Sequence, residues 1–130
     1  MLDVGSGVTA RWVNKGIVSR FSTPVFSGGR LYSTSEPGNL VCLNPANGAA
    51  VWTQSGFEWG GLVAVDGTLI VQNGSNGDLV QVALSPQGYK ELGRLSPFES
   101  QTDQNWAAPI VAQGRLFARS KKELVCIDLK

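Results

Sequence analysis

The residue types that most often perform chemistry are few in this chain of 130 residues. It contains no histidine, which excludes Ser-His and Cys-His nucleophile pairs and removes the commonest zinc ligand. Its two cysteines, Cys42 and Cys126, occupy the same position in two copies of a repeated pattern. Equivalent strands of different repeats lie too far apart for the Cα spacing of a disulfide. We therefore expect two small, buried apolar side chains and no hydrolase chemistry within the chain.

Acidic side chains could bind a hard cation if several oxygen ligands converged on one point. Here the acids are dispersed along turns and strand ends, at Asp3, Asp66, Asp78, Asp103, Asp128, Glu36, Glu58, Glu91, Glu99 and Glu123. No glycine-rich phosphate loop and no cluster of basic and aromatic residues accompanies them. The residues themselves predict no catalytic, cofactor-binding or metal-binding position, and hence no enzyme.

Three aromatic residues, Phe21, Trp59 and Trp106, form the sharpest functional signal. Each precedes a turn glycine by eight residues and is followed by small side chains. At the start of innermost strands they could surround a channel mouth and stack on a flat ligand, with Glu58 and Asn105 supplying polar groups. They could equally pack between neighbouring sheets. Both alternatives stay open at this point.

These aromatics belong to a pattern that recurs after 38 and then 47 residues. Each copy holds three short apolar segments bounded by Gly, Asn or Asp turns, which predicts strands near 23–27, 30–34, 40–43, 62–65, 68–72, 79–84, 108–112, 115–119 and 124–128. Fourth strands are predicted near 50–54 and 89–95. Repeats of this length are typical of β-propeller blades. The sequence therefore predicts an all-β propeller of four-stranded blades, with three blades in the chain.

The predicted organisation is a single propeller segment, 1–130. Its parts are a leading strand (7–14), blade 1 (21–55), blade 2 (59–95), an insert loop (96–105) and a three-stranded blade 3 (106–130). Propellers close with about four to eight blades, so three blades cannot close alone. The leading strand would complete blade 3 of a second copy, and reciprocal exchange would give a six-bladed dimer. The alternative is a fragment of a longer propeller. The insert could belong to a binding face or be a tolerated insertion.

A structural motif follows the third strand of blade 1. It comprises Cys42, Asn44, Gly48 and Trp52, and Trp12 holds the corresponding place in the leading strand. Asn44 can cap a tight turn, Gly48 permits a conformation that other residues avoid, and an outer-strand tryptophan can pack on the neighbouring blade. This pattern resembles the tryptophan-docking motif of the quinoprotein alcohol dehydrogenase-like propellers, which include pyrroloquinoline quinone (PQQ) enzymes. Blade 2 departs from it, with leucine at position 92 where tryptophan is expected.

The resemblance covers essentially the whole chain. It implies PQQ and calcium as possible cofactors and a periplasmic or other extracytoplasmic location. It also implies protein partners, because some members without the quinone are assembly factors that bind other proteins. The net charge of +1 and the lack of a long apolar segment indicate neither nucleic-acid binding nor membrane insertion.

The function that we predict is that of a non-catalytic scaffold or a protein- or ligand-binding module, which forms a homodimer or another self-assembly through its blade edges. One alternative is part of a PQQ-dependent dehydrogenase whose catalytic residues lie outside this chain. Another is an excised or engineered propeller fragment that self-assembles.

Overall fold

The computed structural model describes residue 5, residue 7 and residues 9–129. Within them the chain forms eleven β-strands: Val25–Ser27 (β1), Arg30–Ser35 (β2), Asn39–Leu43 (β3), Ala50–Ser55 (β4), Leu62–Val65 (β5), Thr68–Gln72 (β6), Leu79–Ala83 (β7), Glu91–Leu95 (β8), Ile110–Ala112 (β9), Arg115–Arg119 (β10) and Leu124–Asp128 (β11). The described part of the chain contains no helix that is long and apolar enough to cross a membrane. The predicted all-β class is confirmed.

The strands form three antiparallel sheets, each connected in chain order. Blade 1 is β1-β2-β3-β4, blade 2 is β5-β6-β7-β8, and blade 3 is β9-β10-β11. The innermost strands β1, β5 and β9 contact one another in sequence, so the sheets follow one another around an arc. This arrangement is a partial β-propeller.

Each blade uses its two faces against different neighbours, because side chains alternate along a strand. Between blades 1 and 2 the buried side chains are Tyr32, Leu40, Cys42, Phe57, Leu62, Leu69, Val71, Val80 and Val82. Between blades 2 and 3 they are Leu79, Phe98, Leu116 and Ala118. The hydrophobic core is therefore divided into two layers, and blade 2 contributes to both of them.

Two expectations about the chain ends need correction. Among residues 7–14, the described ones adopt no strand, and residue 8 lies outside the described residues, as do Asp3 and Lys130. The segment contacts blade 1 through Trp12, while the unpaired edge of blade 3 lies beyond blade 2. Cys126 is exposed rather than buried, because no described blade covers that face of β11; Cys42 is buried, and both thiols are free.

The two tyrosines of the chain meet at the layer between blades 1 and 2. The rings of Tyr32 and Tyr89 each lie 6.1 Å from the Trp52 ring, centroid to centroid. Burial raises the pKa of Tyr32 to about 12, and the neighbouring Cys42 adds to this. Burial also raises the pKa of Tyr89 to about 12, assisted by its hydrogen bond to Glu91. The native state therefore holds both phenol protons more tightly than the unfolded chain does.

We expect both tyrosines to titrate near pH 12 in the folded protein and near pH 10 in concentrated urea, followed by phenolate absorbance. Since the folded-state pKa values are raised, this stability is fully present below about pH 10. It is lost as pH rises through about 12. Ionisation of either tyrosine near pH 10, with the native circular dichroism spectrum retained, would contradict the packing described.

Candidate functional site

The tryptophans of the docking motif connect successive blades. Trp52 Nε1, on the outer strand of blade 1, donates a 2.7 Å hydrogen bond to the carbonyl of Ser85 in blade 2. Trp12 Nε1 donates a 2.9 Å hydrogen bond to the carbonyl of Pro45 in blade 1. Donor and acceptor are 33 residues apart in both cases. Trp12 therefore lies against blade 1 as Trp52 lies against blade 2.

The turn that receives Trp12 is shaped by Asn44 and Gly48. Asn44 Oδ1 accepts a 2.9 Å hydrogen bond from the amide of Ala46, and its carbonyl accepts a 2.8 Å bond from the amide of Gly48. Gly48 has φ +71°, and a Cβ there would lie inside van der Waals distance of the Trp12 ring. Glycine is thus required at position 48 for two reasons, the backbone angle and the indole. Cys42 is buried in the strand that precedes this turn.

Blade 2 lacks the docking tryptophan, and the prediction that Leu92 takes its place is wrong. The residue at the tryptophan position is Gly93. In blade 1, Trp52 is paired with Cys42 just before a bulge; in blade 2, Gly93 is paired with Gln81 in the same way. Leu92 occupies the bulge and is 47% exposed. An apolar cavity of about 190 Å³ lies beside Gly93. The glycine has open space around its Cβ position.

The three aligned aromatics meet in one cluster, which we call the aromatic cluster: Phe21, Trp59 and Trp106. The rings of Phe21 and Trp106 are stacked, with centroids 4.4 Å apart and planes inclined by 4°. Trp59 meets Trp106 edge to face at 6.2 Å. Phe21 is 54% exposed, and Arg20 stands over the Trp59 ring at 4.8 Å. Each of the three blades thus contributes one ring, and Trp106 touches the other two.

The backbone beneath the cluster is tightly constrained. Glu58, Trp59 and Gln104 all adopt positive φ, between 45° and 60°, which is uncommon for residues other than glycine. A Cβ on Gly74 would collide with the carbonyl of Glu58, and one on Gly61 would collide with the Ala108 backbone of blade 3. Glycine is therefore a steric requirement at position 61, after Trp59, and at position 74. Two of the rings thus lie on or beside backbone of uncommon conformation, a feature often found at functional sites.

Two clefts of about 220 Å³ each flank Trp106. One is lined by Glu58, Asp103 and the Trp59 ring, and the other by Arg119 and Lys121. Lys121 Nζ lies 2.5 Å from Asp103 Oδ1 and lowers the pKa of that carboxyl. The Trp106 indole therefore separates an acidic cleft from a basic one.

Trp59 offers an unused donor beside the acidic cleft. Its Nε1 is buried and makes no hydrogen bond to the described part of the chain. A buried N–H group without a partner is costly, and it can be satisfied by a bound acceptor. The indole is thus a donor that a ligand in this cleft could use.

Asn105, which the sequence suggested as a ligand contact, lines the basic cleft and is hydrogen-bonded to its own loop. It is buried, and its backbone N–H donates a 2.9 Å hydrogen bond to the carbonyl of Gly74. Its side-chain Nδ2 donates to the carbonyl of Thr102, and its Oδ1 accepts a hydrogen bond from Thr102 Oγ1. Its side chain is thus occupied in holding the insert loop. Glu123 also holds this loop, through 3.0 Å hydrogen bonds from the amides of residues 99 and 100.

The sequence did not single out Arg119 and Lys121 as part of a site. Both lie on blade 3, and only the position of the insert loop brings them to Trp106. The one local signal was the basic run from position 119 to position 122, which contains three positive side chains.

The dispersed acids are held separately in the structure. No group of three or more possible metal-binding side chains occurs among the described residues. Glu36 pairs with Arg20, Asp128 with Arg115, and Glu91 and Asp78 with Arg94. The hydrogen bond from Arg94 is the main reason why the pKa of Glu91 lies below its usual value. These carboxylates serve within individual blades or loops.

Comparisons with known proteins agree with this architecture. A family model described as outer membrane protein assembly factor BamB matches residues 8–85. Quinohemoprotein alcohol dehydrogenase from Comamonas testosteroni has a similar crystal structure, with a TM-score of 0.61 and 20% identity over 86% of this chain. The chain spans 18% of that enzyme, and at this identity the likeness concerns the fold alone. No curated protein matches the sequence.

Replacing Gly48 with alanine tests the docking of Trp12. We expect the free energy of unfolding to fall by about 2–3 kcal/mol, because both the positive φ and the indole oppose a Cβ. Gly114→Ala is the matched control, since Gly114 has the same φ of +71° and nothing within 4 Å of its Cβ position. It should lose only about 1–2 kcal/mol in the same urea titration. Equal losses would show that Trp12 does not rest on this turn.

Filling the cavity beside Gly93 should stabilise the protein. We expect Gly93→Trp to raise the free energy of unfolding by about 1–2 kcal/mol, because it buries an indole and removes a glycine from a strand. Leu92→Trp is the control, because position 92 lies in the bulge and is already largely exposed. The measurement is the urea midpoint at constant m-value. A gain of the same size in both variants would contradict the register described.

Proposed function

The chain belongs to the PQQ-like β-propeller repeat family, and from that premise we propose that it is a non-catalytic module that binds other proteins. The observation that carries the proposal is the aromatic cluster, in which one exposed ring and two half-buried indoles come from three blades and Trp106 lines both an acidic and a basic cleft. Rigid aromatic side chains with charged residues around them are typical of the energetically dominant centres of protein interfaces. An extracytoplasmic location is part of the same proposal.

The matching family model is described as an outer membrane protein assembly factor, which suggests the class of partner. Strands of outer-membrane proteins alternate apolar and polar side chains and carry aromatic residues at both membrane interfaces. An extended segment of this kind could place one aromatic side chain against Trp106. Charged neighbours of that side chain would then lie in the two clefts, near Asp103 and Lys121. We propose such extended aromatic segments as the ligands.

The test uses a short fluorescein-labelled peptide in which tyrosine and serine alternate, with one lysine and one glutamate. We expect saturable binding by fluorescence anisotropy, weakened at least about tenfold by Trp106→Ala, since Trp106 touches both other rings. Phe26→Ala is the matched control: Phe26 is also an exposed aromatic, 63% accessible, but it lies outside the cluster. Its affinity for the peptide should equal that of the unaltered protein.

The competing interpretation, a part of a quinone enzyme, is tested on the same sample. PQQ with calcium chloride is titrated while tryptophan fluorescence is followed. Saturable quenching by PQQ that is lost in Trp106→Ala, with no binding of the peptide, would overturn the proposed function. Peptide binding that is unaffected by Trp106→Ala would overturn the assignment of the cluster as the binding surface.

A further inference from the structure

Three asparagine–glycine pairs occur in the chain, at positions 47–48, 73–74 and 76–77. An asparagine before glycine is prone to imide formation, because glycine has no side chain to shield its backbone nitrogen or to restrict the backbone around it. The three pairs are chemically identical, so the sequence ranks them alike. Their surroundings in the folded protein differ, and this difference selects one of them.

The pair at 73–74 is held firmly in the turn between β6 and β7. Asn73 is 6% exposed, and its Nδ2 donates a 2.7 Å hydrogen bond to the carbonyl of Gly56. Its Oδ1 accepts two hydrogen bonds, one from the backbone N–H and one from the hydroxyl of Ser75. Gly74, whose nitrogen would be the nucleophile, is buried. Ring closure at this pair therefore requires the turn to open first.

The pair at 76–77 lies in the same turn. Asn76 is half-buried, and its Oδ1 accepts a 2.9 Å hydrogen bond from the backbone N–H of Asp78. Its Nδ2 donates a 3.3 Å hydrogen bond to the carboxylate of the same residue. Gly77 is buried against Phe98, which an added Cβ would approach to 2.9 Å. Both ends of this carboxamide are occupied, as they are at Asn73.

The pair at 47–48 lies in the more open turn between β3 and β4. Asn47 is exposed, as are Ala46 and Ala49 beside the pair. Its Oδ1 accepts a 3.0 Å hydrogen bond from the backbone N–H of Ala49, but its Nδ2 has no partner among the residues that the structure describes. The nitrogen of Gly48 donates to the carbonyl of Asn44, and the nitrogens of the other two glycines also donate to carbonyls. The pairs thus differ in how the carboxamide is held, and that of Asn47 is held least.

The exposure of Asn47 does not depend on which blade packs against this turn. The corresponding turn of blade 2, between β7 and β8, carries Gln87 and Gly88 in the same two places. That turn is covered by blade 1 through the docked Trp52, and Gln87 is nevertheless exposed. A blade that docks on blade 1 in the same way therefore leaves Asn47 exposed as well.

We propose that Asn47 is a site of spontaneous deamidation in the folded protein and that the change weakens the docking of Trp12. The backbone nitrogen of Gly48 loses its proton to hydroxide and attacks Cγ of Asn47. A C–N bond forms, the carboxamide nitrogen takes a proton from water and leaves as ammonia, and a cyclic imide results. Water then opens the imide at either carbonyl, which gives aspartate or isoaspartate at position 47.

The modified position lies inside the turn that receives Trp12. Isoaspartate places an additional carbon in the main chain between Asn44 and Gly48, whose carbonyl and N–H are joined by a 2.8 Å hydrogen bond. Gly48 lies against the Trp12 ring, and its carbonyl accepts a 2.7 Å hydrogen bond from Asn14 Nδ2. Aspartate keeps the normal main chain and an oxygen that can accept from Ala49. Isoaspartate should therefore loosen the docking, and aspartate should not.

The first test incubates the folded protein at mildly alkaline pH and locates deamidation by peptide mapping with mass spectrometry. We expect Asn47 to react at least about tenfold faster than Asn73 or Asn76, because less structure must open around it. Incubation in concentrated urea is the control, in which the three pairs should react at similar rates. Asn47→Gln, which copies the blade 2 turn, should retain only the slow reactions. Reaction of the folded protein at Asn73 or Asn76 as fast as at Asn47 would overturn the proposal.

The second test measures what the change does to the docking. The isoaspartyl form is separated by ion-exchange chromatography, identified by methyltransferase labelling and unfolded in urea. We expect a lower urea midpoint than in the unaltered protein at the same m-value, because the turn beneath Trp12 is lengthened. Asn47→Asp is the matched control, since it adds the same charge to a normal main chain, and its midpoint should stay close to that of the unaltered protein. An isoaspartyl form as stable as Asn47→Asp would overturn the inferred effect on docking.

Discussion

Successive blades of this protein share no hydrogen-bonded ladder, so the structure depends on how one sheet is fastened to the next. The fastening is an indole N–H donated to a backbone carbonyl, at Trp12 and again at Trp52. Around each of these bonds lies apolar packing, which supplies most of the free energy of association but little direction. The hydrogen bond supplies the direction, because it is made only when the outer strand lies against the correct turn. Trp52 thereby helps to set the angle between blades 1 and 2, which contribute Phe21 and Trp59 to the aromatic cluster.

Much of the fold could be predicted from the sequence because its information is local. Alternation, turn glycines and a long period place the strands to within about two residues, and the three copies reinforce one another. Leu92 shows where such inference ends. A bulge adds one residue and moves the tryptophan position to Gly93, and spacing from the preceding turn cannot show on which side of the bulge the residue falls.

The candidate site was predictable only in part, for a different physical reason. Phe21, Trp59 and Trp106 could be aligned by their distance from a turn glycine, but their mutual contact depends on the curvature of the arc. Lys121 approaches Trp106 because the insert loop folds back, held by buried Asn105 and by Glu123. Those two polar residues look like surface groups in the sequence, since nothing near them in the chain reveals the backbone groups that they bind.

The docking bonds each join residues 33 positions apart, and this distance does not coincide with a blade. At Trp52 it begins on the outer strand of one sheet and ends in the last turn of the next. The shortest stretch of chain that contains both the donor tryptophan and its acceptor carbonyl therefore does not begin and end where a blade begins and ends. A duplicated gene segment that runs from a docking tryptophan to its acceptor turn would encode both the donor and the acceptor of the hydrogen bond. A duplicated segment that encodes one blade would separate donor from acceptor at both of its ends. Tandem duplication would thus preserve the docking hydrogen bonds best when the duplicated unit begins at a docking tryptophan and not at the first strand of a blade.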